Sequence, residues 1–201
     1  MDDFLYAVLK VHDSQRYVDC FLFYRILLLG RLFYKMWGEK IEYKIREIER
    51  KDNQKVEDLI RGCLIEFGAN HEGTAWADPD LGRFSEIYNS EGSKYWVAED
   101  ENGRIAGGVG IGPLAGVKDV CELQKMYCLP DARGTGVAHS LIKIALDYAK
   151  KYYVTCYLET MKNMTAAQKF YEKYGFQRTC NSLVKTEHFA CDIHYVKELE
   201  R

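Results

Sequence analysis

The chain has little of what usually announces a function class. Its 201 residues carry 28 Lys and Arg against 30 Asp and Glu, a formal net charge of −2. That balance offers no broad basic surface for a nucleic-acid backbone. Seven cysteines, at 20, 63, 121, 128, 156, 180 and 191, contain no Cys-x-x-Cys pair, and no Cys/His cluster has zinc spacing, so no metal site is expected. His12, His71, His139, His188 and His194 form no ligand set either; His188 and His194 read as lying on one strand. There are only 3 prolines, no internal repeat and no Pro/Gly/Ser-rich tract, so nothing marks a flexible linker.

A membrane span is missing as well. The densest apolar stretch, CFLFYRILLLGRLFYKMW at 20–37, is interrupted by Arg25 and Arg31, and no uncharged run approaches the ~18–20 residues a span requires. Asp2 and Asp3 occupy the place of a basic signal-peptide start. Residues 1–40 therefore read as an apolar, helical extension that packs or makes an oligomer contact, which would give a homodimer. A membrane-surface helix is the alternative. Most cysteines sit in apolar segments, which suits buried free thiols in a reducing cytoplasm.

From residue 41 the pattern is regular. IEYKIREIE (41–49) alternates as a half-buried strand should. DNQKVEDLIRGCLIEFG (52–68) spaces Val56, Leu59, Ile60, Cys63, Leu64 and Phe67 as one helix face, with Gly68 as its stop. DPDLGRFSEIY (78–88) predicts a second short helix opened by Asp78 and Pro79. KYWVAED and RIAGGVGIG read as a hairpin around Asn102-Gly103. A strand at 119–129, a helix at about 134–150, a strand at 153–160, a helix at 165–175 and two last strands complete the domain. The order is that of a mixed α/β domain over 41–201 with strand–helix–strand crossovers.

Between the strand ending at Leu129 and the next helix stands Arg133-Gly134-Thr135-Gly136-Val137-Ala138. Such a turn exposes unpaired backbone N–H groups at the positive end of a helix, which suits an anion. The glycines also let a diphosphate approach the backbone. The same residues can serve only to turn the chain. Neither a Walker loop nor the third glycine of a dinucleotide fingerprint is present, so nucleotide triphosphates and dinucleotides fit less well.

This stretch matches R/Q-x-x-G-x-G/A and resembles the acetyl-CoA loop of the GCN5-related N-acetyltransferases, the GNAT superfamily. ELQKMYCLPDARGTG before it is similar to that family's fourth strand and loop. NMTAAQKFYEKYGF (163–176) is similar to its N-x-x-A-x-x-F-Y-x-K-x-G-F segment. Two motifs in order are far more specific than one, and the resemblance spans about 41–197. It implies a mixed, mostly antiparallel sheet whose fourth and fifth strands splay apart, flanked by helices. It implies an acyltransferase that moves an acetyl group from acetyl-CoA to a primary amine, with no metal.

Carried over residue by residue, the resemblance assigns coenzyme A to the backbone of Arg133, Gly134, Thr135, Gly136, Val137 and Ala138, with Ser140 nearby. Met126, Tyr127 and Cys128 would contact it mainly through main-chain groups, and Asn163 would touch it while capping the following helix. Glu122 matches the general base, with Asp119 and Glu159 as weaker substitutes, and Tyr171 matches the general acid. The acceptor wall would draw on Glu66, His71, Glu72, Trp76 and Tyr88. Transfer is expected to be direct, since no His–Asp pair stands ready to activate Cys121 or Cys128. The acceptor reads as a small molecule or amino acid. A protein or peptide amine, or a silent acyl-CoA-binding module, are the alternatives.

Overall fold

The computed structural model describes residues 41–184 and 188–200; the expected helical extension over 1–40 lies outside the described residues. Strand β1 (Lys44–Glu47) is followed by helix α1 (Asn53–Glu66), as its apolar spacing requires. The junction is fastened by charge. The Arg46 guanidinium lies 2.6 and 2.9 Å from the two Asp52 oxygens and 2.7 and 2.9 Å from those of Glu99. Asp52 also accepts the Glu49 N–H, at 2.9 Å, in a capping box.

The expected second helix is only partly formed. A 3-10 turn at Leu81–Arg83 leads into a single turn, α2 (Phe84–Ile87). Pro79 and Gly82 break the segment, and Asp78 lies outside it, accepting the Asp80 N–H at 2.9 Å. Strands β2 (Lys94–Glu99), β3 (Ile105–Pro113) and β4 (Val120–Cys128) form an antiparallel meander. Helix α3 (Val137–Ala149), strand β5 (Thr155–Thr160), helix α4 (Thr165–Lys173), and strands β6 (Gln177–Thr179) and β7 (Ile193–Glu198) follow.

The seven strands lie in the order β1-β2-β3-β4-β5-β7-β6. All neighbours are antiparallel except β4 and β5. The sheet is covered on both faces. On β2, Tyr95 and Val97 join the core under α1 and α2, whereas Trp96 and Ala98 join the core under α3 and α4, which is the strand's alternation made visible.

Two irregularities in β4 position everything that follows. Between the pairs Gly108↔Tyr127 and Gly110↔Gln124, one residue of β3 faces two of β4, so Lys125 and Met126 form a β-bulge. Lys125 takes a left-handed conformation at φ 49°, uncommon for a lysine. Its carbonyl accepts the Tyr95 hydroxyl at 3.1 Å. Room for that tyrosine exists because Gly108 has no side chain: a Cβ there would sit 2.5 Å from the Tyr95 hydroxyl. The second irregularity is the parting of β4 from β5. They pair only over Val120–Glu122 with Thr155–Tyr157, and diverge beyond.

Among the described residues no helix is long and apolar enough to cross a membrane. The six described cysteines are free: Cys63, Cys121 and Cys156 are buried, Cys128 and Cys191 half-buried and Cys180 exposed. His188 lies in the loop before β7 rather than on the strand that carries His194, so the expectation of one strand for both is corrected.

Candidate active site

Where β4 and β5 part, a cavity of about 500 Å³ opens between the sheet, α1, α4 and the glycine turn. Beyond Glu122, β4 turns main-chain groups toward this gap rather than toward a neighbouring strand. Glu122, Met126, Tyr127, Cys128, Arg133, Gly134, Ala138, Asn163 and Tyr171 all line it.

The glycine turn delivers the backbone donors that its sequence suggests. Gly134 and Gly136 adopt φ 77° and 101°, values open to glycine at little cost. The first helical bond of α3 runs from the Ser140 N–H to the Gly136 carbonyl, 3.1 Å. The N–H groups before Ser140 in the first turn therefore remain for solvent or an anion. The Thr135 hydroxyl is spent locally, donating to the Ala132 carbonyl at 2.7 Å. Thr135, Gly136 and Val137 do not line the cavity with Gly134 and Ala138.

Arg133 is committed within the protein. Its guanidinium pairs with Glu66 at 2.6 and 2.7 Å, donates to the Cys128 carbonyl at 3.0 Å and lies over the Phe67 ring. It thereby fastens the turn to the end of α1, and Glu66 is consumed as its partner. Asn163 is not a helix cap: Met164 occupies that position, and the Asn163 amide donates to the Phe67 carbonyl at 3.1 Å. The capping expectation fails because the chain makes one further turn before α4.

Glu122 sits at the root of the gap. Burial pushes its carboxyl above the usual carboxylate range; the Gln124 hydrogen bond lowers it, and the charge of Glu159 raises it again. The Gln124 amide N–H donates to Glu122 at 2.7 Å, while its carbonyl accepts the Tyr88 hydroxyl at 2.9 Å. Tyr88 thus acts behind Gln124 and outside the main cavity. Bare glycines on β3 make this chain possible. A Cβ at Gly110 would come within 2.8 Å of the Tyr88 ring, and one at Gly112 within 3.0 Å of the Gln124 oxygen.

Across the cavity stands Tyr171, on α4. Burial raises its phenol well above the ordinary value, so it stays protonated at neutral pH. It accepts and donates no hydrogen bond among the described residues. Glu159 also lines the cavity, accepting the Tyr157 hydroxyl at 2.7 Å. Cys128 and Cys191 line it with thiols that burial pushes up to about 12.

The Acetyltransferase (GNAT) family model matches residues 45–176, the stretch from β1 to the end of α4. The chain belongs to the GNAT family. It is 38% identical over 158 residues to YjgM, an uncharacterised N-acetyltransferase of Escherichia coli (strain K12), covering 77% of this chain and 94% of that one. It is 32% identical over 122 residues to the uncharacterised N-acetyltransferase C1271.07c of Schizosaccharomyces pombe, covering 60% and 74%. In fold it is similar to an acetyltransferase of GNAT family from Staphylococcus aureus Mu50, with TM-score 0.70 and 22% identity over 79% of this chain and 100% of that one. The GNAT protein described here is therefore an acyltransferase of the N-acetyltransferase type.

The cavity differs from the sequence expectation on the acceptor side. Trp76 lies beneath the Arg61 guanidinium, 4.9 Å from its ring centre, and does not enter the cavity. His71 and Glu72 are exposed. Asp119 also stays outside the cavity, its carbonyl accepting the Val154 and Thr155 N–H groups at 2.9 and 3.3 Å. Gln124 and Lys125 were missed by sequence reasoning, although both follow Glu122 on the same strand. The i, i+2 spacing of Glu122 and Gln124 was the available signal.

Proposed function

We propose that the chain transfers an acetyl group from acetyl-CoA directly to the primary amine of a small molecule, with residues 41–201 as its catalytic domain. The observation that carries this reading is the meeting of Glu122 and Tyr171 in one cavity beside an unpaired strand edge and the glycine turn. The residues present fit acetyl-CoA: turn N–H groups suit its diphosphate, and the free edge of β4 suits its amide-bearing arm. That co-substrate supplies the acetyl group as a thioester.

In this reading Glu122 takes a proton from the attacking amine, directly or through water. Its raised carboxyl suits the task, because a base works best with a pKa near the working pH. Gln124 holds the carboxylate in place, and Tyr88 holds Gln124. Tyr171 gives its proton to the departing sulfur. Direct transfer is favoured over an acetyl-cysteine route because the Cys128 thiol is pushed up to about 12 and is a poor nucleophile at neutral pH.

Release of free thiol from acetyl-CoA, followed across a panel of small amines and lysine-containing peptides, tests the proposal. Turnover of at least one small amine above the peptides is expected. Turnover of peptides alone would overturn the acceptor class, and no thiol release with any amine would overturn the reaction.

A further inference from the structure

Behind Gln124 and Lys125 lies a second, polar cavity of about 410 Å³, lined by Asp78, Tyr88, Ser90 and Ser93 among others. Gln124, Lys125 and His188 line both cavities. The two spaces thus share a wall made of the β4 bulge, and Glu122 stands at the edge of that wall.

Lys125 is the unusual member. Its side chain is only 10% exposed, held there by the left-handed bulge. A buried ammonium needs acceptors for three N–H groups. One goes to Asp78 at 2.9 Å and one faces the His188 ring nitrogen at 3.2 Å. The third has no acceptor among the described residues. Burial pushes the Asp78 carboxyl up, but the charge and hydrogen bond of Lys125, with the Asp80 N–H and a smaller effect of His188, outweigh it and hold the carboxyl below its ordinary value. The Lys125 side chain therefore keeps one donor to spare.

Resting on the acetyltransferase reading above, we infer that the acceptor is an amino-carboxylate: its amine lies against Glu122 and its carboxylate is held by the spare donor of Lys125. A carboxylate supplies the missing acceptor and gains a charge-assisted bond. A purely cationic amine such as a polyamine would instead leave the third Lys125 N–H unsatisfied and meet a like charge. The chamber has room for the body of a free amino acid, and the bulge fixes the distance between its two ends. No side chain of Glu66 or Trp76 takes part.

The test uses matched pairs: free α-amino acids, aliphatic and aromatic, and the amines obtained by removing only the carboxylate. Thiol release should favour the carboxylated member at least about tenfold in kcat/KM, the size of one charge-assisted hydrogen bond. Lys125→Met should raise KM for the carboxylated member by a similar factor, with kcat changing far less and the decarboxylated member losing little. A double variant, Asp78→Asn with Lys125→Met, removes the buried pair as a unit and should show the same pattern. It answers the objection that an unpaired Asp78 alone damaged the fold. Equal use of both members, preference for the decarboxylated one, or equal losses in the variants would overturn the proposal. Heat-stability shifts with acetyl-CoA, recorded on every variant, separate the two levels: their absence from the wild type would overturn the acetyltransferase reading itself, and this inference with it.

Discussion

In the proposed mechanism two side chains at the gap carry opposite duties, because their surroundings treat them differently. The Tyr171 phenol, held protonated by burial and without a hydrogen-bond partner among the described residues, is a donor in waiting. Tyr171→Phe is expected to lower kcat by about 10²-fold or more, in line with general-acid catalysis, while leaving the KM for acetyl-CoA almost unchanged. Steady-state thiol release measures both, and an unchanged kcat would remove Tyr171 from the mechanism. Glu122 must be ionised to act as a base. Its carboxyl is raised, so kcat/KM should fall as pH drops through a value above the usual carboxylate range, before an acid titration reaches about pH 4.3. Glu122→Gln should remove that acid limb and cost about 10²- to 10⁴-fold in rate. A pH–rate profile of both proteins shows whether the limb belongs to Glu122.

At the scale of elements, the joint between β1, α1 and β2 hangs on Arg46. Burial pushes the Asp52 carboxyl up, yet the Arg46 hydrogen bonds, the Glu49 N–H and the guanidinium charge together hold it below its ordinary value. A carboxyl depressed on folding stabilises above its unfolded pKa, about 3.9, and that stability is lost as pH falls through the folded value. Arg46→Ala leaves Asp52, whose side chain is 0% exposed, without its cation, and should cost about 3–5 kcal/mol at neutral pH. Urea unfolding at neutral and acidic pH is the check: the difference from wild type should shrink in acid. Such joints show how far sequence goes. The element order was legible because apolar spacing at periods of two and 3.6 decides buried faces, and the motifs picked out Glu122, Tyr171, Gly134 and Ala138, which the fold brings to one cavity. The Lys125 bulge was not, since nothing in a lysine codon-by-codon announces φ 49°; tertiary pressure from Tyr95 beneath Gly108 imposes it. Asn163 looked like a cap and became a strut to Phe67, a partner 96 positions away that local pattern cannot foresee.

For the whole molecule, ligand binding to the folded form alone should appear as stability. At a hundred times its Kd, acetyl-CoA should add about 2.7 kcal/mol, which for a domain of this size is on the order of 5–10 °C in Tm. ATP and NAD at equal concentration should leave Tm within error, and a comparable rise with either would contradict the fit of the cavity to coenzyme A. The divergence of β4 from β5 after three paired residues has a wider bearing. Most proteins keep unpaired strand edges at the rim and guard them with charge or a bulge. Here two such edges face each other in the interior of a continuous sheet. The gap is therefore an internal template for an extended backbone. The Lys125 bulge bends β4 on its way along that gap, so a straight strand could follow the open edge for only a few residues.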